Sequence, residues 1–258
     1  MAELKQALKD MALVEDVKGH ISGNDDISTD DLEDLADIIL NAQEESADMD
    51  RCDISGDGEV DVTDLVWLRY FLVHGDWPNS AATARGDMAS ANDYINMEVV
   101  SVENNVTRIA INLDNETVFN HFQLNVQLPE GAKVVGQTLG ERVEGANLMM
   151  AQNGTTVRML AISTANNVFA GNNGAVAYLD IEGLNGEVNI QKAIFTDTEL
   201  NGHLLTANST TSIRESITNA LQAAGQKIYN MGGKMMNGLK KGVNIIRNAD
   251  GSTKKVMK

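Results

Sequence analysis

Apolar residues recur with two different spacings along this chain. Between residues 29 and 73 they lie three and four apart, which predicts helices over about Thr29–Asn41 and Thr63–Val73. From Tyr94 to Asp197 apolar and polar residues alternate, with Asn- and Gly-rich turns between the runs. This second pattern predicts an antiparallel β-sandwich with strands at Ile95–Val102, Val106–Leu113, Phe119–Gln127, Lys133–Thr138, Leu148–Gln152, Thr155–Ser163, Gly174–Ile181 and Glu187–Phe195.

The flanking segments complete the predicted organisation. Residues 1–17 have the spacing of a short amphipathic helix, and residues 201–225 are loose and polar. After them we predict short strands at Lys227–Asn230, Lys234–Met236, Gly242–Arg247 and Thr253–Met257. The predicted fold class is α+β multidomain, divided as 1–78 (helical module), 79–93 (linker), 94–210 (antiparallel β-sandwich) and 211–258 (linker and small β tail).

Composition narrows the classes of function. The net charge of −17, from 37 acidic and 20 basic residues, argues against nucleic-acid binding and suits a protein that binds cations. The single cysteine, Cys52, excludes an internal disulfide and is interpreted as an idle buried thiol. No apolar run approaches the length of a transmembrane helix.

The segment Asp53–Asp64, DISGDGEVDVTD, has the spacing of an EF-hand-type calcium loop. Gly58 stands where such a loop turns sharply, and Val60 is apolar, as expected of the residue that joins the loop to a neighbour. Calcium is a hard cation that binds oxygen atoms. The predicted calcium ligands are Asp53, Ser55, Asp57, Glu59 (through its backbone carbonyl), Asp61 and Asp64.

The loop and its helix are repeated 33 residues earlier, where His20–Asp31 reads HISGNDDISTDD. The helices repeat as well, since Leu32 and Leu35 correspond to Leu65 and Leu68. A duplicated loop–helix unit ending in Asp resembles the type I dockerin family. That resemblance covers about residues 14–76 and implies two antiparallel units that bind calcium and dock onto a cohesin domain.

The first repeat departs from the dockerin pattern, with His20 at loop position 1 and Asp25 where Gly is usual. Its implied ligands form a degenerate set, whose occupancy by calcium is left open: Ser22, Asn24, Asp26 (through its backbone carbonyl), Ser28 and Asp31. The resemblance also implies that the two residues before the last ligand of each loop choose the partner. Here these are Thr29 and Asp30 in the first repeat, and Val62 and Thr63 in the second.

Two later segments carry further resemblances. The stretch VTRIAINLDNETVFNHFQLNVQLPEGAKVV is similar to the opening of a cohesin-like jelly-roll sandwich, and VRMLAISTANNVFAGNNGAVAYLDIEG fits its central hairpin. The basic C-terminal segment, with KKGVNII, resembles the sorting domain of type IX secretion substrates. That resemblance implies an extracellular or cell-surface location in a Gram-negative bacterium, after removal of a signal peptide, whereas the alternative is a hairpin that completes a sheet.

Together these features predict a non-enzymatic, calcium-binding extracellular protein for adhesion or assembly. Its Ca²⁺ would stabilise a module that docks onto another protein, or in cis within the chain. An alternative is a carbohydrate-binding accessory protein of a surface glycan system, although only 4% of the residues are aromatic. An enzyme is a third possibility, because acidic pairs are plentiful; no metalloprotease, serine-hydrolase or P-loop motif occurs.

Overall fold

The computed structural model describes residues 18–24, 26–78, 92–207, 226–248 and 251–257. The predicted N-terminal helix and Asp25 lie outside these ranges, as do most of both predicted linkers. In the described ranges no helix is long and apolar enough to cross a membrane.

Two five-stranded sheets form the predicted antiparallel sandwich, which is thereby confirmed. The first sheet has the order β10-β1-β2-β7-β4 and the second has β5-β6-β3-β8-β9. All pairs are antiparallel except β1 with β10. The strands are β1 Tyr94–Glu103, β2 Val106–Asp114, β3 Phe119–Gln127, β4 Lys133–Leu139, β5 Ala146–Asn153, β6 Thr156–Ser163, β7 Ala175–Glu182, β8 Asn189–Asp197, β9 Gly202–Leu204 and β10 Thr206–Ala207.

A cluster of phenylalanines fills the space between the two sheets. Four of the chain's five phenylalanines lie there, with neighbouring ring centroids 5.3 to 6.2 Å apart. Around them pack the inward-facing aliphatic residues of both sheets, such as Ile109 and Leu179. Because aromatic rings bury large areas in defined orientations, they fix the spacing of the sheets. The four are Phe119, Phe122, Phe169 and Phe195.

The helical module, residues 18–78, has two main helices, α1 Thr29–Leu40 and α3 Val62–His74, with a short α2 Met49–Cys52 and a 3₁₀ turn at Glu44–Ser46 between them. Both main helices begin with a capping box, in which a carboxylate three residues on accepts the N–H of the N-cap residue. The apolar sides of the helices share one core, formed by Leu35, Ile39, Ile54, Leu65 and Leu68.

The helical module packs against the outer side of the second sheet. Its core is continuous with Leu160, Ile162 and Ile194 of that sheet and with Leu200 in the β8–β9 turn. The second sheet is therefore buried on both sides, and eight of the nine residues of β3 are buried. Two short helices bury little apolar surface between themselves, and this sheet adds to their shared core.

A third sheet, the tail sheet, lies at the C-terminus with the order β12-β11-β13-β14. Its strands are β11 Lys227–Asn230, β12 Met235–Met236, β13 Val243–Arg247 and β14 Thr253–Met257. Ile228 and Ile246 are buried in the same apolar cluster as the sandwich core. The tail sheet is therefore packed onto the sandwich.

Most differences from the predicted elements are shifts of one or two residues at element ends. The helix α1 begins at Thr29 as predicted, and the side chain of Ser28 caps it by accepting the N–H of Asp30. The prediction of a loose segment from residue 201 was wrong over β9 and β10. These strands are only three and two residues long, too short for an alternating pattern to show.

Truncating the aromatic cluster should destabilise the sandwich. Phe122 is fully buried between the sheets, so we expect Phe122→Ala to lower the free energy of unfolding by about 3–5 kcal/mol. Urea denaturation followed by circular dichroism measures this change. Val118→Ala, at an exposed residue just before β3, is the control and should change stability by no more than about 0.5 kcal/mol. Equal effects of the two substitutions would contradict the assignment of Phe122 to the core.

Candidate functional site

The loop Asp53–Asp64 is folded around the carboxylate of its first residue. Asp53 accepts hydrogen bonds from the N–H groups of Gly56 (2.8 Å), Asp57 (3.1 Å) and Gly58 (3.0 Å). Gly58 has φ +91°, a left-handed conformation that side chains disfavour, so the sequence places glycine where the turn requires it.

Asp64 closes the loop from the other end and is fully buried. One of its oxygens accepts from Ser55 N and the other from Asp61 N, each at 2.8 Å. Burial, with the nearby carboxylates of Asp57 and Asp53 adding to it, raises the pKa of Asp64 well above its ordinary value, although the hydrogen bonds from Ser55 oppose this rise. Three acidic side chains thus lie close enough to repel one another.

The remaining predicted ligands of this loop have distinct environments. Asp61 caps α3 by accepting from Thr63 N at 2.7 Å, and Asp57 accepts from Glu59 N at 3.0 Å. The Ser55 hydroxyl is buried without a well-formed hydrogen bond, although it lies near enough to Asp64 to favour the ionised carboxylate. The Glu59 side chain points out of the loop to Lys192, with 2.6 Å between Oε2 and Nζ.

The donor chemistry of the second loop fits calcium. Its side chains offer only oxygen atoms, one of them the orphaned hydroxyl of Ser55, and a divalent cation would offset the repulsion around Asp64. Within the part of the chain that the structure describes, no three His, Cys, Asp or Glu side chains are arranged as a preformed metal site. The carboxylates instead accept backbone N–H groups, so ion binding would require their side chains to turn.

The first loop is closed without such repulsion. Asp31 is fully buried and accepts from Ile21 N, Ser22 N, Ser22 Oγ, Ser28 N and Ser28 Oγ, at 2.7 to 3.3 Å. Burial alone would raise the pKa of Asp31, but the hydrogen bonds from Ser22, Ser28 and Ile21 outweigh burial and hold it below its ordinary value. Equivalent aspartates of the two repeats are therefore shifted in opposite directions.

The other positions of the first loop make local contacts. His20 Nδ1 lies 3.4 Å from the carbonyl oxygen of Asn24, whose side chain donates to Asp30. Asp26 is exposed, and Ser28 serves as the N-cap of α1.

The predicted partner-choosing residues of the second repeat, Val62 and Thr63, lie against the sandwich of the same chain. Val62 is fully buried, and its N–H donates to Gln123 Oε1 of β3 at 3.0 Å. Thr63 is buried against Gly202 of β9, where a Cβ would lie 2.4 Å from Thr63 Oγ1. The equivalent residues Thr29 and Asp30 are exposed.

Further along α3, two side chains extend the contact with the sandwich. Trp67 is buried and donates from Nε1 to the carbonyl oxygen of Leu200 at 3.0 Å. Arg69 donates to Asn166 Oδ1 at 2.9 Å and to the carbonyl oxygen of Thr164. Trp67 is buried because the sandwich covers this side of α3.

The rim of the contact is polar. Besides the pair of Glu59 with Lys192, Arg158 of β6 binds the Glu44 carboxylate and donates to the carbonyl oxygen of Ile39 at 2.8 Å. We call the outer side of the second sheet that α3 covers, together with Leu200 and Gly202, the docking face; its strand residues include His121, Gln123, Leu160, Ile162 and Ile194.

Sequence reasoning did not identify the docking face. His121, Gln123 and Asn125 alternate with apolar residues along β3, which is the usual pattern of a strand with one side in water. All three are buried instead. Gly202 is the one local hint, because a Cβ there would overlap Thr63, but within the predicted loose segment a glycine gives no sign of such a contact.

Both tryptophans of the chain lie in the helical module. Trp67 is buried at the docking face, and Trp77 stacks on Phe71 with ring centroids 4.3 Å apart. Lys18 lies over both indole rings, 5.6 Å from that of Trp67 and 5.0 Å from that of Trp77. Cys52 is buried, and burial, followed by the charge of Asp48, raises the pKa of its thiol to about 11, as suits an idle thiol.

No family model matches this sequence, and no curated protein matches it. Among solved structures, the chain is similar to the sixth cohesin of scaffoldin B from Acetivibrio cellulolyticus, with 13% identity, a TM-score of 0.39, and coverage of 46% of this chain and 95% of that one.

A non-cellulosomal cohesin from Archaeoglobus fulgidus is 14% identical, with a TM-score of 0.38 and coverage of 46% of this chain and 88% of that one. A type II cohesin from Bacteroides cellulosolvens is 11% identical, with a TM-score of 0.39 and coverage of 46% and 97%. All three TM-scores lie below 0.5, so the function of this chain is inferred from its own residues.

The contact between Gly202 and Thr63 can be tested by clash and rescue. In Gly202→Ala the new methyl group would overlap Thr63 Oγ1, so we expect α3 to be pushed from the docking face and stability to fall by about 1–3 kcal/mol. Adding Thr63→Ala removes the overlapping hydroxyl, which has no hydrogen-bond partner to lose, and should restore most of the stability. Thermal unfolding measures both steps; an unchanged Gly202→Ala protein, or no rescue, would contradict the contact.

Proposed function

We propose that this chain is a non-catalytic protein-docking module in which the docking face receives the helical module. The observation that carries the proposal is the contact of Val62 and Thr63 with Gln123 and Gly202. The dockerin resemblance implies that these two residues of the helical module meet a partner, and in this chain they meet a sheet in cis.

The composition of the contact supports a recognition surface. Trp67 is an aromatic anchor with its N–H satisfied, and Leu160, Ile162 and Ile194 supply an apolar centre. Charged pairs such as Glu59 with Lys192 lie at the rim. Protein interfaces show this arrangement, in which Trp and Arg carry much of the binding energy and the rim stays polar.

We further propose that calcium binds the second loop and fixes the residues that dock. Asp61 and Asp64, two predicted ligands, flank Val62 and Thr63 in sequence, and Asp61 caps the helix that carries Trp67. An ion at this loop would hold the start of α3 in its docking position. The first loop has its last carboxylate satisfied by Ser22, Ser28 and Ile21, which supports one strong site rather than two.

A calcium-dependent docking module suits the outside of a cell, where extracellular modules with weak calcium affinity are still saturated. We therefore place the protein outside the cell, at or beyond the surface of a Gram-negative bacterium. The basic C-terminal segment that resembles a type IX sorting domain supports this location, since β13 and β14 form the hairpin expected of it.

Calcium added to chelator-treated protein should bind at one site and raise the unfolding midpoint. At a hundredfold excess over the dissociation constant the gain is about 2.7 kcal/mol. Asp57→Asn removes one ligand charge and should weaken binding at least about tenfold. Asn24→Ala, at the same position of the first loop, is the matched control and should leave the calcium affinity unchanged. Calorimetric titration without any heat of binding would refute the calcium site.

The docking function can be tested by complementation between two variants of the full chain. Thr63→Arg disables the helical module and leaves the docking face intact, whereas Gly202→Leu fills the docking face and leaves the helical module intact. Alone, each variant should be a monomer in analytical ultracentrifugation, because each lacks half of the contact.

Mixed in equal amounts, the two variants should form a heterodimer in which one free module binds the other chain's open face. The unmodified chain should remain monomeric in the same conditions, because its docking face is already covered in cis. A mixture that stays monomeric, although both variants are folded by circular dichroism, would refute the docking function.

A further inference from the structure

His121 is a buried histidine in the middle of the docking face. It lies on β3, paired with Ile162 of β6 and Thr196 of β8. Ile162 packs in the core shared with the helical module, so His121 is on the side of the sheet that α3 covers. Ser163 N donates to its Nδ1 at 3.0 Å, so the neutral ring carries its proton on Nε2. That Nε2 is buried and has no hydrogen-bond partner in the described structure.

The charged group that acts on His121 is positive and therefore disfavours protonation of the neutral imidazole. Burial, followed by the positive charge of Arg69 on α3, lowers the pKa of His121 to about 3. Arg69 is fixed there by Asn166 and by the carbonyl oxygen of Thr164. An imidazolium in this position would be desolvated, unpaired and next to a guanidinium.

The carboxylates of the surrounding elements are engaged elsewhere. On β6 and β8 the charged neighbours are Arg158, paired with Glu44, and Lys192, paired with Glu59. Asp197 binds His203, which lies beside Phe119. At the start of α3, Asp61 and Asp64 accept N–H groups of the calcium-type loop. In the described part of the chain none of these carboxylates is hydrogen-bonded to the His121 ring.

Other polar atoms at the contact are also unsatisfied. Thr63 Oγ1, Arg158 Nε and Thr196 Oγ1 are buried without a hydrogen-bond partner among the described residues. Each such atom costs free energy when water is excluded and regains it when water returns. The docked arrangement is therefore stabilised by its apolar centre and by Trp67. An added buried charge without a partner would oppose docking further.

We propose that protonation of His121 releases the helical module from the docking face, so that acidification exposes this face. The proposal rests on the docking function above and names its regulation. Once the helical module leaves, the imidazole is exposed to water and takes up a proton at its ordinary pKa.

The direction of the pH dependence of docking follows from proton linkage. The released state binds one more proton than the docked state between about pH 6.5 and pH 3. Docking is therefore fully supported above this window and weakens as the pH falls through it, by up to about tenfold per pH unit. Two units below the ordinary histidine pKa, His121 alone would weaken docking about a hundredfold.

Trp67 provides the readout, because its indole is buried only while α3 is docked. In full-length protein carrying Trp77→Phe, Trp67 is the sole tryptophan. With excess calcium present, we expect its emission to shift to the red between neutral pH and about pH 4.5, while the circular dichroism of the sandwich is retained. Trp67 exposed already at neutral pH would refute cis docking itself rather than the role of His121.

His121→Gln keeps an acceptor for Ser163 N but cannot become charged. In the Trp77→Phe background it should lower the midpoint of release by at least about one pH unit. His203→Gln is the matched control, since His203 is equally buried but bound to Asp197 away from the docking face, and it should leave the midpoint unchanged. Release at the same pH in both variants would overturn the proposal.

A second measurement does not depend on the folding of a variant. Nuclear magnetic resonance of histidine-labelled protein with its native residues follows each imidazole through the same titration. The His121 signal should change only over the pH range in which Trp67 becomes exposed in the Trp77→Phe protein. If His121 titrates near its ordinary pKa while Trp67 stays buried, the proposal is wrong.

Discussion

The burial of the second sheet on both sides is the constraint on which this structure depends. The phenylalanine cluster covers its inner side and α3 covers its outer side. A strand buried on both sides must satisfy every polar side chain internally or leave it unpaired. β3 does both, since Gln123 accepts from Val62 N whereas the Nε2 of His121 has no partner among the described residues.

The two repeats of the helical module share a fold but differ in the electrostatic environment of their last loop aspartate. Both loops end in a buried aspartate that accepts two or more backbone N–H groups, and both helices begin with a capping box. In the first loop the neighbours of Asp31 are hydroxyls, so the charge is satisfied. In the second loop the carboxylates of Asp57 and Asp53 add to the effect of burial on Asp64, and the proposed calcium ion would offset this repulsion.

Docking within the chain changes what the docking face can do. Because the helical module is tethered, it competes with any external partner at a high effective concentration. An external partner must therefore bind more tightly than the helical module, or wait until that module leaves. A contact that combines an anchoring Trp67 with several unsatisfied polar atoms is suited to such exchange.

The sequence alone determined those elements whose signal is local. The alternation of β3 and the hairpin of β13 with β14 follow from short-range patterns, as does the glycine at position 58. Loop spacing also predicted the oxygen ligands of the second repeat. None of this required knowledge of which surfaces meet.

Only the tertiary structure decided which residues are joined across the chain. The contact of Val62 with Gln123 links residues 61 positions apart, and that of Trp67 with Leu200 links residues 133 apart. Whether a polar residue such as His121 faces water depends on what packs above it, and strand periodicity carries no information about that. The docking face therefore could not be predicted from the sequence, although the dockerin resemblance already pointed to Val62 and Thr63 on the helix that covers it.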